Sequence, residues 1–492
     1  MVTRLDADLA RPVSHEGMLH QRRGKSRRRL LVILALSFSD ILLALALWQA
    51  AFVLHGLVGH TAHSTDIAIA STVPYIVVWV GLRASLGLYP GYGLDQVEEL
   101  RRQTIALLST VSIIVVLAFA SQLGDSLSRV LLFVWSLGLL LVSPVVRHFV
   151  KRAMMKIGLW GKPVVVLGSQ ATGARVLKVL QQEWQLGFKP VSIFDNRLAP
   201  AEGTLEGVPY GGTLSDAVAF AREHRVDTAI FAMPHTRREH LARFVNLVSN
   251  SFQHIIIMPN LDGITNSAVV ARDFSGSLGL EIKQNLLDPW AQRLKRMLDI
   301  MITLVGGIFL IPLMLMLYLF VWIESGGSVF YRDRRMGRDG RLFSCIKFRT
   351  MVPGAETVLQ RILEEDTEMR EEYLKYHKLR NDPRVTRIGF FLRKTSLDEL
   401  PQLWNVLRGE MSLVGPRPYL PSESEDIGVA KSEILRVTPG ITGPWQVTGR
   451  NYTSFSERVQ MDAYYVRDWS VWLDLVLLAR TLKIVIFRVG AY

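Results

Sequence analysis

The strongest constraint on what this chain can fold into is the alternation of long apolar runs with basic flanks. Residues 30–54 form a 25-residue apolar run, and about 20 helical residues suffice to cross a bilayer core. The run is too long for a secretory signal core and lacks a small-residue cleavage site. Six of the eight Lys and Arg residues in 1–29 fall in 22–29, directly before it. Further apolar runs cover 67–82, 105–123 and 130–146. The loop 55–66 has no Lys or Arg, 83–102 has Arg83, Arg101 and Arg102, and 124–129 has only Arg129. Arg147, Lys151, Arg152 and Lys156 follow the fourth run. Basic and poor loops therefore alternate, the signature of positively charged cytoplasmic loops. The pattern predicts a basic cytoplasmic tail over 1–29, a four-helix transmembrane bundle over 30–148, and a cytoplasmic remainder. Asp40 lies inside the first run and is expected to face the bundle, because a lipid-facing carboxylate is costly.

The net charge of +13 is compatible with nucleic acid, anionic lipid or a phosphate-rich substrate. The cations cluster at membrane edges and in phosphate-binding loops, so nucleic acid is set aside in favour of the bilayer. The single cysteine, Cys345, excludes an internal disulfide framework and a Cys-based zinc site.

Residues 149–288 read as alternating strand and helix. Buried strands are predicted at 162–168, 191–194, 228–232 and 254–258, with helices to about 185, at 214–224 and at 238–249. That alternation predicts a parallel, doubly wound, Rossmann-like sheet. Its first turn, Gly168-Ser-Gln-Ala-Thr-Gly173, has Gln170 where a dinucleotide fingerprint has glycine, although Asp195 has the spacing of a ribose contact. A scaffold without cofactor is expected.

A further apolar stretch, 297–323, is interrupted only by Asp299. Arg293, Lys295 and Arg296 precede it, and Arg332, Arg334 and Arg335 follow. Both flanks are basic, and Pro312 sits mid-run, where it removes a backbone donor. A re-entrant helix over 289–325, kinked at Pro312 and returning to the leaflet it entered, is predicted.

The remaining 326–492 carry the chemistry. Lys347 and Arg349 stand two apart in Cys345-Ile-Lys-Phe-Arg-Thr-Met351 and would share one face of a strand. Asp398 and Glu399 are adjacent in Arg393-Lys-Thr-Ser-Leu-Asp-Glu-Leu-Pro-Gln-Leu-Trp-Asn405. Such a pair suits Mg²⁺ binding or attack on phosphorus, although an isolated pair most often marks a helix start. Gly/Pro-rich loops at 409–418 and 439–451 present Arg417 and Arg450, a residue type suited to bidentate phosphate contacts. The segment 469–487 is amphipathic and suits a membrane-surface position or core packing.

Taken together, Lys-Phe-Arg-Thr-Met (347–351), Leu-Asp-Glu-Leu-Pro-Gln-Leu (397–403), Met-Ser-Leu-Val-Gly-Pro-Arg-Pro (411–418) and Pro-Gly-Ile-Thr-Gly (439–443) resemble the bacterial sugar transferases, the polyprenyl-phosphate hexose-1-phosphate transferases. The likeness covers about residues 290–492, and the four spans and middle domain look like the large, galactose-transferring members. One departure is Ile311 before Pro312, where the family often has Ser-Pro. The resemblance implies an inner-membrane enzyme with its catalytic domain in the cytoplasm. It would transfer hexose-1-phosphate from a UDP-sugar, UDP-galactose ahead of UDP-glucose, to undecaprenyl phosphate, releasing UMP. It implies Asp398 as a covalent nucleophile, Glu399 as a residue that either positions Mg²⁺ with it or acts as an acid/base, and Lys347, Arg349, Arg417 and Arg450 as phosphate-binding cations. Family analogy also points to a homodimer. The alternatives are a membrane-tethered nucleotide-sugar-modifying enzyme, opposed by Gln170 and the lack of any Tyr-x-x-x-Lys, and a non-catalytic scaffold of a polysaccharide machine.

Overall fold

The computed structural model describes residues 15–57, 65–120, 129–196, 203–234, 236, 251–258, 269–274, 277–282, 285–366, 369–371, 382–448 and 453–487. They fall in two compact units, Met1–Leu261 and Asp262–Tyr492. Among the described residues, four helices are long and apolar enough to cross a membrane: Arg27–Leu54, Gln96–Ala120, Arg129–Lys156 and Pro289–Ser325.

The first unit opens with helices α1 (His15–Leu57), α2 (Thr65–Ser85), α3 (Gln96–Ala120) and α4 (Arg129–Lys156). The second predicted run lies in α2, with Pro74 inside the helix. Trp48, Trp79, Trp135 and Leu139 pack inward, while Phe38, Val77, Val116 and Phe133 stay exposed, as lipid-facing positions should. Gly138 lets α4 approach α1, since a Cβ there would stand 3.1 Å from Leu47. The Trp135 indole donates to the Ala44 carbonyl at 3.0 Å.

Polar groups then tie the four helices together. Asp40, 1% exposed, sits 3.1 Å from the Arg83 Nε and accepts from Tyr89 Oη at 2.6 Å. Arg83 also donates to Ser143 Oγ at 2.8 Å and Gln103 Oε1 at 3.2 Å. Glu99 pairs with Arg147 and Lys151, each at 2.5 Å. The expectation that Asp40 faces the bundle holds.

After α4 comes β1 (Lys162–Leu167), α5 (Ala171–Gln182), β2 (Phe188–Phe194), β3 (Thr204–Leu205), β4 (Val208–Gly212), α6 (Asp216–His224), β5 (Thr228–Phe231) and β6 (His254–Ile257). The strands form one sheet in the order β3-β4-β2-β1-β5-β6. All its pairings are parallel except the β3–β4 hairpin, which the sequence did not signal. The predicted strands match β1, β2, β5 and β6; the helix expected at 238–249 lies outside the described residues.

The second unit begins with an antiparallel hairpin, β7 (Val269–Phe274) and β8 (Ser277–Ile282). Helix α7 (Pro289–Ser325) follows. Asp288 caps it by accepting from Trp290 N–H, and Gly326, at φ +59°, ends it. Pro312 lies within α7 without terminating it. The early part buries Lys295, Asp299 and Thr303, and the late part buries Leu317 and Val321. Between them Leu304, Val305, Ile308, Phe309 and Ile311 are exposed, Phe309 by 78%.

An antiparallel hairpin of β9 (Phe330–Met336) and β10 (Leu342–Phe348) comes next. Then follow α8 (Ala355–Glu365), α9 (Arg387–Thr395), α10 (Gln402–Arg408), β11 (Ser412–Val414), β12 (Gly440–Thr442), α11 (Phe455–Asp468) and α12 (Val471–Phe487). Cys345, Val406, Met411, Tyr465, Trp469 and Leu477 belong to the main core of this unit. Of the two expectations for the C-terminal amphipathic segment, Leu477 and buried Asp474 put one face of α12 in that core.

Removing one member of a buried ion pair leaves the other charge uncompensated, at a cost of roughly 3–5 kcal/mol. Asp40→Asn should therefore lower the thermal midpoint of the detergent-solubilised protein by several degrees. An unchanged midpoint would show that the Asp40–Arg83 pair does not hold the bundle.

Candidate active site

Asp398 and Glu399 sit in a 3₁₀ turn, Leu397–Glu399. Two local features aim that turn. Ser396 adopts φ +56°, a left-handed conformation uncommon for a residue with a side chain, and reverses the chain after α9. Helix α9 is itself fixed at its start: Glu324, in the last turn of α7, accepts from Arg387 N–H at 2.9 Å and Ile388 N–H at 2.8 Å. Gly389 allows the helix to lie against the chain after β10, because a Cβ there would come within 2.1 Å of the Thr350 carbonyl oxygen.

The cation opposite comes from β10. Lys347 Nζ donates to Glu399 Oε1 at 2.9 Å. Asn405 on α10 fixes the strand's backbone: its Nδ2 donates to Ser344 O at 2.8 Å and its Oδ1 accepts from Ile346 N–H at 3.1 Å. Burial tends to lower the Lys347 pKa, but Glu399 and Asp398 outweigh it, and the net direction is upward. The ammonium is thus firmly protonated. At Asp398 burial is not outweighed: burial first, then the Glu399 charge, push its carboxyl up to about 6, against the pull of Lys347 and Arg393.

Lys347, Asp398 and Glu399 are therefore brought together. Arg349 turns toward Gly327, its Nη1 3.3 Å from where a Cβ would stand. Arg417 lies 5.5 Å over the Trp445 ring and 3.6 Å from Glu423. Its backbone N–H donates to Asp462 Oδ2 at 2.9 Å, and Tyr419 Oη donates to the same oxygen at 2.8 Å. Asp462 is held up to about 7 by burial, against those donors. No hydrogen bond or ion pair links Arg349 or Arg417 to the Asp398–Glu399 pair among the described residues. Arg450 lies outside the described residues. Pro312 is remote from the pair in sequence and belongs to the membrane helix.

Sequence reasoning passed over Arg393. It donates from Nε to Thr350 Oγ1 at 2.9 Å, and its charge acts on Asp398. It stands in the last turn of α9, where such charge is ordinary; the reversal at Ser396 gives it a second role.

Among the described residues no group of three or more His, Cys, Asp or Glu could hold a metal alone. Two adjacent carboxylates do fit Mg²⁺, which commonly takes one or two carboxylates and fills its shell with water and substrate phosphate. A nucleophilic carboxylate, a second carboxylate and a fixed ammonium suit attack on a phosphoryl group.

Comparison with known proteins adds the following. A family model described as bacterial sugar transferase matches residues 290–488, and one described as CoA-binding domain matches 84–259. The chain is 36% identical over 485 residues to the UDP-galactose-lipid carrier transferase of Erwinia amylovora, covering 94% of this chain and 98% of that one. It is 37% identical to the undecaprenyl-phosphate galactose phosphotransferase of Salmonella typhimurium, covering 73% and 75%. It is 30% identical to the undecaprenyl-phosphate glucose phosphotransferase of Komagataeibacter xylinus, covering 67% and 60%.

The raised Asp398 carboxyl has a consequence for stability. Its folded pKa, about 6, exceeds the ordinary 3.8. The folded state therefore binds the proton more tightly, and stability declines as pH rises between those values. Asp398→Asn removes the penalty. Its stability should exceed wild type's at pH 8 by roughly 1–2 kcal/mol after solvent screening, read as a higher midpoint, and the advantage should vanish near pH 4. Equal midpoints at pH 8 would contradict this account of the site.

Proposed function

The chain belongs to the bacterial sugar transferase family, and from that premise we propose that it transfers hexose-1-phosphate from a UDP-sugar to undecaprenyl phosphate through a phosphosugar-aspartate intermediate. The observation that carries this reading is the Asp398–Glu399 pair held against Lys347.

In the first step an Asp398 carboxylate oxygen attacks the β-phosphorus. The bond from that phosphorus to the bridging oxygen breaks, and UMP leaves with the electron pair. In the second step an oxygen of undecaprenyl phosphate attacks the same phosphorus, the bond to Asp398 breaks, and the carboxylate is regenerated. Lys347 holds Glu399 beside the reacting group. Arg393 offsets the desolvation of Asp398, keeping its carboxylate available at neutral pH. Arg349, Arg417 and Arg450 are the cations proposed for the substrate phosphates. Asp398 and Glu399 would hold Mg²⁺, which when bound supplies positive charge to neutralise the pyrophosphate.

Both parts of α7 support a re-entrant course. Arg296 and Asp299 bond to the segment 406–413, while Leu317 and Val321 pack with Val329, Phe348 and Leu392. The helix thus meets one catalytic fold before and after its exposed middle. That course keeps Asp398 on the cytoplasmic face of the inner membrane.

For the middle domain we propose a Rossmann-like scaffold without dinucleotide. Asp195 is buried and accepts from Ser169 N–H and Oγ, each at 2.7 Å. Met233 lies where a side chain at Gly168 would stand, 2.5 Å from its Cβ position. The carboxylate is engaged internally and Met233 closes on Gly168, while Gln170 and Ala171 stay exposed.

UDP-galactose is the favoured donor, because the relative matched over 94% of this chain is named for it. The product would enter surface-polysaccharide synthesis. Incubation with UDP-[¹⁴C]galactose without lipid acceptor should label the protein. The label should be hydroxylamine-labile, absent in Asp398→Asn, and weaker from UDP-glucose. UMP release should fall as pH drops through about 6, where Asp398 takes its proton. Near wild-type UMP release by Asp398→Asn would refute the nucleophile, and preference for UDP-glucose would refute the sugar alone.

A further inference from the structure

The β9–β10 hairpin has a second face that the transfer chemistry leaves unused. Side chains alternate along a strand: Lys347 reaches Glu399, whereas Leu342, Ser344 and Ile346 line a groove on the other side. Arg334 and Arg332 of β9 pair across from Ser344 and Ile346 and line the same groove. Trp404 and Arg408 of α10 form its opposite wall, and the open groove has a volume of about 530 Å³.

The charge in this groove is unbalanced. Arg332, Arg334 and Arg408 are exposed, and among the described residues none of them has an ion-pair partner. The one acid lining the groove, Glu410, is engaged by Asn405 Nδ2 at 2.6 Å. The Arg408 guanidinium lies 5.6 Å over the Trp404 ring. Three planar guanidiniums in one concavity match a phosphate group, to which arginine donates in a bidentate fork.

The groove's place on α7 says which phosphate. Arg296 Nη1 and Nη2 donate to Val406 O at 2.5 Å and Leu407 O at 2.8 Å, just before Arg408. Around Arg296 helix α7 exposes an apolar stripe, Leu294, Met297, Met301 and Leu304. Strand β9 starts five residues after α7 ends. The α10 wall is therefore tethered beside the exposed apolar stripe at the start of α7, and the β9 wall follows the helix's other end. The rim there offers Trp404, 54% exposed, and Leu342, beside the arginines. Indole and guanidinium side by side suit the headgroup layer of a bilayer, and a soluble anion has no use for the apolar rim.

We propose that this groove binds the phosphate headgroup of an anionic phospholipid and so fixes the catalytic fold at the membrane surface. The proposal is independent of the nucleophile and the sugar, and its test does not read transfer.

The full-length protein would be released from nanodiscs of equal parts phosphatidylglycerol and phosphatidylcholine and its retained lipids counted by native mass spectrometry. Wild type should retain phosphatidylglycerol at least about tenfold over phosphatidylcholine. In the Arg332→Gln/Arg334→Gln/Arg408→Gln variant that preference should collapse, since three interfacial cations account for on the order of a hundredfold in affinity. Ser344→Glu, which leaves all three arginines in place and puts a carboxylate on the groove floor, should lose the preference too. It decides the matter if the triple variant fails to fold. Wild-type retention by a folded triple variant or by Ser344→Glu would overturn the proposal. So would displacement of the lipid by millimolar UMP or inorganic phosphate, which would assign the groove to a soluble anion.

Discussion

The catalytic unit hangs on the polar contacts of one otherwise apolar helix. Asp299, the single charge within the apolar stretch of α7, accepts from Ser412 Oγ at 2.7 Å and Leu413 N–H at 3.2 Å. Lys295 pairs with Asp474 at 2.7 Å, and Asp474 also accepts from Tyr465 Oη and Trp469 Nε1. At the far end Glu324 caps α9. From these points the site follows: α9 and the turn at Ser396 place Asp398, and α10, through Asn405, places β10 and Lys347. A carboxylate in hydrocarbon would be expensive; turned inward with its hydrogen bonds made, Asp299 fixes register between helix and catalytic fold.

Burial acts in opposite senses in the two units. In the four-helix bundle carboxylates and cations are paired, so desolvation is met by ion pairs and hydrogen bonds. At the candidate site Lys347 is committed to Glu399, and burial and the like charge beside Asp398 outweigh the pull of Lys347 and Arg393 on it. Its carboxyl is consequently held near 6, ionised at neutral pH yet less stabilised than an ordinary aspartate. A strained charge of that kind suits a nucleophile, which must exchange its negative charge for a bond to phosphorus.

The architecture was legible where period and charge carry it. The apolar runs, the βαβ alternation and the inward-facing Asp40 could all be read from the sequence, because hydrophobic length and periodicity determine them. The Asp398–Glu399 pair and Lys347 could be read as chemistry but not as neighbours, since 51 residues separate Lys347 from Asp398 and only the hairpin and the Ser396 turn bring them together. Arg393 was illegible for the same reason: its part depends on a left-handed residue that has no sequence signature when it is serine. The short β3–β4 hairpin was also missed, having too few residues to show a period. Asp299 read as an interruption of an apolar stretch and Asp474 as part of an amphipathic one, and their partners Ser412 and Lys295 lie more than 100 residues away.

That one fold meets α7 on both sides of its exposed middle is the claim on which this account turns, and sidedness tests it. Trp290 is 73% exposed at one end of the helix, and Ser328 is exposed just past the other. Cys345, the only cysteine, is buried with its thiol pushed up to about 11, so the background is quiet. Trp290→Cys and Ser328→Cys should each react with a membrane-impermeant maleimide in inverted vesicles and in neither case in intact cells. Labelling of Ser328→Cys from outside intact cells, with Trp290→Cys reached only from inside, would make α7 a full span and contradict the account.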